Sequence, residues 1–254
     1  MRFTIKKITL LIVIFAFSIQ CNRKSQVVTK ITAKTIAVDT TLASKNEITN
    51  TIAPYKKKMI AEINTIISYT PKDLTRNDGD LESSLGNLIA DLSYKRANPL
   101  FVKQTGKNID FAMFNYGGIR AGITKGNVTN KNAFELMPFE NSYVVVELSG
   151  EKIKELVAYL QKNKTAHPLS KQFRLAINKK GYSLQIQHKP FDVKKSYFVL
   201  TTDYLQSGGD RMNFFKNPKK LYQLDYKMRH AIMDDFKSVD TIKSTLDGRF
   251  KRTK

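Results

Sequence analysis

The sequence is poor in cysteine and histidine, the residues that most often carry metal or nucleophilic chemistry. It has one cysteine, Cys21, which cannot form an intramolecular disulfide and is therefore free, paired with another chain or modified. The three histidines, His167, His188 and His230, lie far apart, and we expect each to be an ordinary surface or hairpin residue. There is no P-loop, no zinc-ligand spacing and no Ser/His/Asp or Cys/His arrangement. We therefore expect no catalytic and no metal-ligating residue in this chain.

Acidic residues are also few, with 22 Asp and Glu against 43 Lys and Arg, which gives a formal net charge of +21. Such an excess suggests nucleic acid, anionic lipid or an acidic ligand as a partner. The lysines are spread along the whole chain, however, without dense blocks or interleaved aromatic residues. That distribution is typical of a solvated surface, so we expect no specific nucleic-acid binding. An anionic small ligand or a membrane surface is the next choice.

The N-terminal apolar run is too short to span a membrane. It extends from Ile8 to Ile19, well below the ~20 residues that a membrane-spanning helix needs. Basic residues at positions 2, 6 and 7 precede it. This order is typical of a secretory signal peptide over residues 1–21, with a buried core helix as the alternative.

Cys21 directly follows the apolar run and resembles the acceptor cysteine of a bacterial lipoprotein. The match is incomplete, because Ser18 and Gln20 stand where that pattern has a leucine-like and a small residue. We expect an exported chain that is lipid-anchored to a bacterial membrane through Cys21, facing the periplasm or the cell surface. Plain secretion is the alternative.

The remaining chain divides by composition into a tether and a folded domain. Residues 22–50 are rich in Thr, Ser and Lys and lack aromatic residues, so we expect a flexible tether with one short strand around 30–38. Residues 51–254 are expected to form one domain. Helical spacing predicts helices at 54–68, after Ser83 or Ser84, from Thr129 to Leu136, after Gly150, and over Leu224, Met228, Ile232 and Phe236. Strands are predicted at 109–114, 143–148, 173–177, 182–186, 197–201 and 241–250. This mixture predicts an α+β fold with a mixed β-sheet packed with helices.

Two of the predicted strand ends carry the same kind of residues. The first end has Asn115, Gly117, Gly118 and Arg120, and the second has Tyr204, Gly208, Gly209 and Asp210. Open backbone and polar side chains at strand ends commonly gather ligand groups in sheets of this type. Adjacent glycines indicate either a close backbone approach or a turn that needs φ > 0.

These residues have the chemistry to hold a nucleotide. A planar base could stack between Phe139 and Tyr204, a contact worth roughly 1–3 kcal/mol per base. Asp210 could accept hydrogen bonds from ribose hydroxyls, Arg120 could bind a phosphate, and the Asn115 amide could bond a base edge. The alternative is that both aromatic residues belong to the core and both glycine pairs are tight turns.

Four sequence blocks resemble one known family. They are LGNLIADL from Leu85, IDFAMFNYGGIR from Ile109, GNVTNKNAFELMPFENSYVVVELSGEKIKEL from Gly126, and YFVLTTDYLQSGGD from Tyr197. Together they are similar to the C-terminal, substrate-recognition domain of bacterial and animal 5′-nucleotidases, the UDP-sugar hydrolase and ecto-5′-nucleotidase family. The blocks occur in family order and extend from about Glu82 to Asp210.

The resemblance implies a role for each candidate residue. Phe139 and Tyr204 would sandwich the base, although the family usually has Phe at the second position. Asn115 would bond the base, Asp210 the ribose and Arg120 the phosphate. The four glycines, Gly117, Gly118, Gly208 and Gly209, would shape the backbone around the ligand.

Three departures from the family pattern stand out. The family often has a further phosphate-binding Arg shortly before the GNL block, but no arginine falls in that register within 76–82. Residues 168–174 replace a Gly-containing segment. Arg211 stands where GGD is usually followed by another glycine.

The catalytic half of the family is a separate N-terminal metallophosphatase domain with a dinuclear metal centre. Such a centre needs several His and carboxylate ligands, and the three histidines here fall in none of its motifs. We therefore expect no cofactor on this chain and a divalent metal on a separate metallophosphatase subunit. The chain would recognise a nucleotide or nucleoside in nucleotide catabolism. Two alternatives are a nucleotide-capturing lipoprotein that serves uptake without hydrolysis, and a basic surface protein that binds nucleic acid or anionic lipid by charge alone.

Overall fold

A computed structural model describes residues 28–253, so the predicted signal peptide and the predicted lipidation of Cys21 lie outside the described residues. The chain divides after Asn50 into two units. In the first unit, residues 28–45 are exposed and form only a turn at Asp39–Leu42, so the strand predicted at 30–38 is wrong. None of the helices in the described part is long and apolar enough to cross a membrane.

The regular elements of the described residues are numbered in chain order. The helices α1 to α6 span Asn46–Ile63, Ser84–Thr105, Asn130–Leu136, Gly150–Asn163, Asp203–Gln206 and Met228–Lys237. The strands β1 to β10 span Ile66–Thr70, Phe111–Ala112, Gly126–Thr129, Ser142–Ser149, Phe173–Asn178, Gly181–Ile186, Lys189–Pro190, Ser196–Thr202, Lys220–Lys227 and Phe250–Arg252. Single 3₁₀ turns lie at Tyr116–Gly118, Gly209–Arg211 and Asn213–Phe215.

The sheets are mixed, which confirms the predicted α+β class. The main sheet has the strand order β2-β8-β4-β9. In it β2 and β8 are parallel, while β4 is antiparallel to both β8 and β9. A second sheet has the order β10-β5-β6-β7, and β1 pairs with β3 in a two-stranded ribbon. Because β2 and β8 are parallel, the chain leaves both strands at the same edge of the main sheet.

The centre of the core is β4. Its residues Tyr143, Val144, Val145 and Val146 are consecutive and all buried, so both faces of this strand are covered. Helix α4 packs against β4, and α2 packs against β2 and β9. The Tyr143 hydroxyl donates a 2.6 Å hydrogen bond to Ser93 Oγ on α2. The β-branched residues of β4 thus form a central strand that contacts both α2 and α4.

Several predicted element boundaries hold because their caps are local. Ser83 caps α2 by accepting a 3.0 Å hydrogen bond from Gly86 N. Thr129 and Asn132 form a capping box at the start of α3. The hairpin of β5 and β6 turns before Gly181, whose φ of +152° suits glycine. These predictions are confirmed.

Three boundary predictions are wrong, and in the first two pairing with a distant strand overrides helical spacing. Helix α1 ends at Ile63, and the following β-branched segment forms β1 because it pairs with β3. Leu224 lies in β9, which pairs with β4, so the C-terminal helix starts only at Met228. In the segment 241–250 only Phe250 enters a strand, β10.

A buried arginine fastens the C-terminal segment to the rest of the domain. The Arg249 guanidinium donates to Asp91 on α2 at 2.9 and 3.0 Å and to Asp247 at 2.9 Å. It also donates a 2.8 Å hydrogen bond to the carbonyl of Leu169, just before β5. This pairing satisfies a charge that burial would otherwise make costly, and β10 is thereby held against β5.

His167 is not the ordinary surface residue that was expected. It is 7% exposed, and its Nδ1 accepts a 3.1 Å hydrogen bond from the backbone N–H of Tyr116, in the first 3₁₀ turn. Burial lowers the pKa of His167 to about 4, although the nearby Asp210 carboxylate acts in the opposite direction. His188 and His230 are exposed, as expected. A neutral imidazole therefore anchors the turn that follows β2.

This anchor makes the fold sensitive to acid. The folded-state pKa of about 4 lies below the ordinary 6.5, so the unfolded chain takes up the proton first as the pH falls. We expect the free energy of unfolding to decrease between about pH 6.5 and pH 4 by about 3 kcal/mol from this group, at ~1.4 kcal/mol per pKa unit. Urea unfolding at about pH 7 and about pH 4.5 measures the loss.

The matched variant is His167→Asn, whose side-chain oxygen can still accept the Tyr116 N–H but cannot be protonated. It should lose less stability than the parent over the same pH range. His230→Asn, at an exposed histidine, should behave as the parent. Equal pH dependence of the parent and His167→Asn would show that the buried imidazole is not the sensitive group.

Candidate functional site

The two predicted sets of polar residues meet at one edge of the main sheet. Asn115 lies three residues beyond the end of β2, and Tyr204 lies two residues beyond the end of β8. In the parallel pair, Phe111 is opposite Val199 and Ala112 is opposite Leu200. The loops that follow the two strands are therefore neighbours in space, although they are far apart in the sequence.

These loops enclose a cavity of about 310 Å³, which we call the first cavity. It is lined by Asn115, Gly117, Gly118, Arg120, Phe139, Asn141, Tyr204 and Asp210. Every residue predicted to bind the ligand lines it except Gly208 and Gly209. Asn141 was not predicted; it stands immediately before β4, next to the Pro138-Phe139 corner.

The Asp210 carboxylate joins the two loops. Asn115 Nδ2 donates a 2.6 Å hydrogen bond to Asp210 Oδ2, and the Tyr204 hydroxyl donates a 3.0 Å hydrogen bond to Asp210 Oδ1. This hydrogen bond raises the pKa of Tyr204 above its usual value. A carboxylate offers about four lone-pair positions, so each oxygen can accept one further hydrogen bond. The bridge leaves Asp210 able to bind a ligand hydroxyl.

The second glycine pair shapes the loop and does not line the cavity. Gly208 has φ = +96°, and a Cβ there would lie 2.1 Å from Lys216 Cε. A Cβ on Gly209 would lie 2.5 Å from ring atoms of Tyr204. Because Gly209 has no Cβ, the Tyr204 ring can lie directly against the backbone at this residue.

The residues after this pair hold an unusual backbone conformation. Asp210 has φ = +51° and Arg211 has φ = +61°, both in the left-handed region. That region costs a residue with a Cβ roughly 1–2 kcal/mol. The Tyr159 hydroxyl donates a 3.1 Å hydrogen bond to the carbonyl of Asp210 and supports this conformation.

The first glycine pair permits a close approach and does not use positive φ. A Cβ on Gly118 would lie 2.8 Å from Asn115 Oδ1, so glycine leaves space for the amide. Arg120 is exposed, and its Nη1 donates a 3.3 Å hydrogen bond to the carbonyl of Gly117. Most of the guanidinium N–H groups remain available to an anion at the cavity edge.

Both aromatic side chains are open to the solvent. Phe139 is 41% exposed and Tyr204 is 44% exposed. The alternative that they are core aromatics is therefore wrong. Apolar ring surface that lines an open cavity is available for stacking with a planar ligand.

The sequence analysis did not identify two residues that support the loop after β2. Arg76 Nη1 donates to the carbonyls of Ile119 at 2.6 Å and Tyr116 at 3.4 Å, and its guanidinium lies 4.4 Å from the centre of the Tyr116 ring. His167 binds the same turn through the N–H of Tyr116. Arg76 therefore supports the turn through these carbonyl and ring contacts, and it does not line the first cavity.

The residues present do not fit a dinuclear metal centre. Within residues 28–253, no three or more His, Cys, Asp or Glu side chains are grouped so that they could hold a metal ion.

Comparison with known proteins shows what this arrangement is similar to. The family model for the 5′-nucleotidase C-terminal domain matches residues 59–217. Protein UshA of Yersinia enterocolitica is 32% identical over 105 residues, which cover 40% of this chain and 19% of that protein. The cell wall protein Lmo0130 of Listeria monocytogenes is 28% identical over 203 residues, which cover 70% of this chain and 25% of that protein.

A solved structure shows the same fold. The 5′-nucleotidase precursor from Thermus thermophilus matches with a TM-score of 0.65 at 23% sequence identity, over 80% of this chain and 42% of that chain. This chain thus spans less than half the length of these relatives.

The matched region contains every residue that lines the first cavity, and it covers more than half of the chain. The sequence blocks, the mixed sheet and the joined strand ends agree with this match. The chain belongs to the 5′-nucleotidase C-terminal domain family.

Proposed function

We propose that this chain recognises the nucleoside part of a nucleotide and presents its phosphate to a metallophosphatase, in nucleotide catabolism. The observation that supports the proposal is the first cavity itself. This space of about 310 Å³ is lined by the exposed aromatic residues Phe139 and Tyr204 and by three polar residues. The polar residues are Asn115, Asp210 and Arg120. That set supplies one group for each part of a nucleotide.

The base and the ribose have matching groups. A base placed between Phe139 and Tyr204 gains roughly 1–3 kcal/mol from stacking. Asn115 gives one amide hydrogen to Asp210 and retains an acceptor oxygen and a second hydrogen for the base edge. The free lone pairs of Asp210 accept hydrogen bonds from the ribose hydroxyls. Because every base has a stacking face, this arrangement tolerates different bases.

The phosphate would lie at the open edge of the cavity, near Arg120. The guanidinium presents a planar fork of donors that matches phosphate oxygens. Hydrolysis of the phosphate ester requires a metal centre that residues 28–253 do not form. We place that centre on a separate metallophosphatase subunit and the reaction on the pair.

The same proposal places the chain outside the cytoplasm. Its N-terminal 21 residues have the pattern of a signal peptide that ends at Cys21. One relative is named a cell wall protein. A lipid anchor on Cys21 would hold the domain at a bacterial membrane and keep it near its partner subunit.

Stacking is tested by removing each ring. We expect adenosine and AMP to bind the purified chain, and Phe139→Ala and Tyr204→Ala each to weaken binding roughly ten-fold, as the loss of one stacking face implies. Isothermal titration calorimetry measures the affinities. Tyr182→Ala is the matched control, since Tyr182 is an exposed aromatic residue on β6 outside the cavity. The proposal would be refuted if the parent does not bind either ligand, or if neither Phe139→Ala nor Tyr204→Ala changes the affinity.

The role of Arg120 is tested by comparing two ligands. Arg120→Ala should weaken AMP binding about ten-fold, because charge-assisted hydrogen bonds to phosphate are lost. Adenosine, which has no phosphate, should bind the variant as it binds the parent. Arg252→Ala removes the same charge from an exposed arginine outside the cavity and should affect neither ligand. Equal losses for AMP and adenosine would exclude a phosphate contact.

The division of labour is tested by hydrolysis. We expect the purified chain with added divalent metal to release no phosphate from AMP. A metallophosphatase that co-purifies with the native protein should release phosphate, and Phe139→Ala in this chain should lower the activity of the pair. Phosphate release by the chain alone would reveal a metal site on it. If AMP binds but no such partner is found, capture of nucleotides for uptake becomes the better description.

A further inference from the structure

A second cavity of about 310 Å³ adjoins the first. It shares Gly117 and Asp210 with the first cavity and is otherwise lined by Tyr116, Tyr159, Asn163, Thr165, His167 and Arg211. Neither Arg120 nor the two stacking rings line it. The role proposed for the first cavity makes no use of this space.

The second cavity offers hydrogen-bond donors to an anion. Arg211 is exposed, and its side chain has no hydrogen-bond or ion-pair partner among the described residues. His167 uses Nδ1 to accept the Tyr116 N–H, so its neutral ring carries the hydrogen on Nε2, which bonds no group in residues 28–253. Asn163 adds a side-chain amide. These groups can donate to phosphate oxygens without displacing a bond within the protein.

One group in the second cavity opposes an anion. Asp210 also lines the cavity, and its two carboxylate oxygens accept hydrogen bonds from Asn115 and Tyr204. The hydroxyls of Tyr159 and Thr165 donate to backbone carbonyls and therefore offer only lone pairs. The favourable charge must come from Arg211, since it is the cation among the lining residues.

The backbone at Arg211 is a further observation. Its φ of +61° lies in the left-handed region that glycine adopts freely and arginine does not. It is also the position at which the sequence departs from the glycine that the resemblance implies. A non-glycine residue held in this conformation beside a binding cavity points to a functional use of its side chain.

We propose that the second cavity is an anion subsite for an additional phosphate on the 2′ or 3′ oxygen of the ribose, with Arg211 as its principal cation. The inference rests on the proposed function, because it uses Asp210 as the ribose contact. Asp210 lines both cavities, so a group attached to a ribose hydroxyl at Asp210 can enter the second cavity, which Arg211 lines and Arg120 does not. The substrate class would then be ribonucleotides that carry a 5′-phosphate and a second ribose phosphate.

The test compares four ligands on the purified full chain by calorimetry at about 0.15 M salt, where distant surface charges are largely screened. The ligands are adenosine, AMP, adenosine 3′,5′-bisphosphate and adenosine 2′,5′-bisphosphate. We expect one bisphosphate to bind about ten-fold more tightly than AMP, as one added charge-assisted contact implies. The ligand that gains affinity identifies which ribose oxygen carries the second phosphate.

Arg211→Gly is the decisive variant. It removes the guanidinium and relieves the left-handed strain, so it should unfold at a higher temperature than the parent while the ratio of bisphosphate to AMP affinity falls to near one. Arg211→Lys should keep part of the preference, because it keeps the charge and loses the fork. Arg252→Ala removes the same net charge elsewhere, and its affinity ratio should equal that of the parent.

Three results would overturn the subsite: no bisphosphate preference in the parent, a preference that survives Arg211→Gly, or an equal loss in Arg252→Ala. The second result would show that Arg211 is not the principal cation, and the third would assign the effect to the general charge of the protein. If AMP binding depends on Phe139 and the bisphosphates gain nothing, the subsite is refuted and the proposed function stands. If adenosine, AMP and both bisphosphates all fail to bind, the proposed function fails and the subsite fails with it.

Discussion

The structure of the candidate site depends on one carboxylate that accepts hydrogen bonds from both sides. Asp210 accepts a hydrogen bond from the side-chain amide of Asn115, which follows β2, and another from the hydroxyl of Tyr204, which follows β8. The parallel pairing of these strands brings the loops to one edge, and the carboxylate fixes their separation. Because ionised acceptors form the stronger hydrogen bonds, this bridge can hold the two loops together at the edge of the cavity.

The sequence predicted those features that are encoded locally. Caps at Ser83 and Thr129, the strand conformation of β4 and the hairpin before Gly181 each need only a few neighbouring residues, and each is present. Helical spacing failed at Ile66 and Leu224, where pairing with a remote strand decided the conformation. Local pattern cannot contain that information, since the partner strand lies elsewhere in the chain.

The candidate site, too, could be predicted from local sequence pattern only in part. Polar residues beside glycine pairs marked both strand ends, and their chemistry suited one nucleotide. Residue chemistry alone left open that both aromatic residues belong to the core, and the family resemblance favoured the pocket. Asn141, Arg76 and His167 gave no signal, because their roles come from burial and from contacts made by distant segments. Arg211 was visible as a departure from the family pattern, and its left-handed backbone became evident only in three dimensions.

The bridge between Asn115 and Asp210 spans 95 positions of the chain. A contact of such separation contributes only after a long loop has closed, and that closure costs conformational entropy. A partly folded chain in which β2 and β8 are not paired would lack the pocket. A ligand that binds this pocket would therefore stabilise only the completely assembled domain, so the proposed nucleotide binding would also report on correct folding.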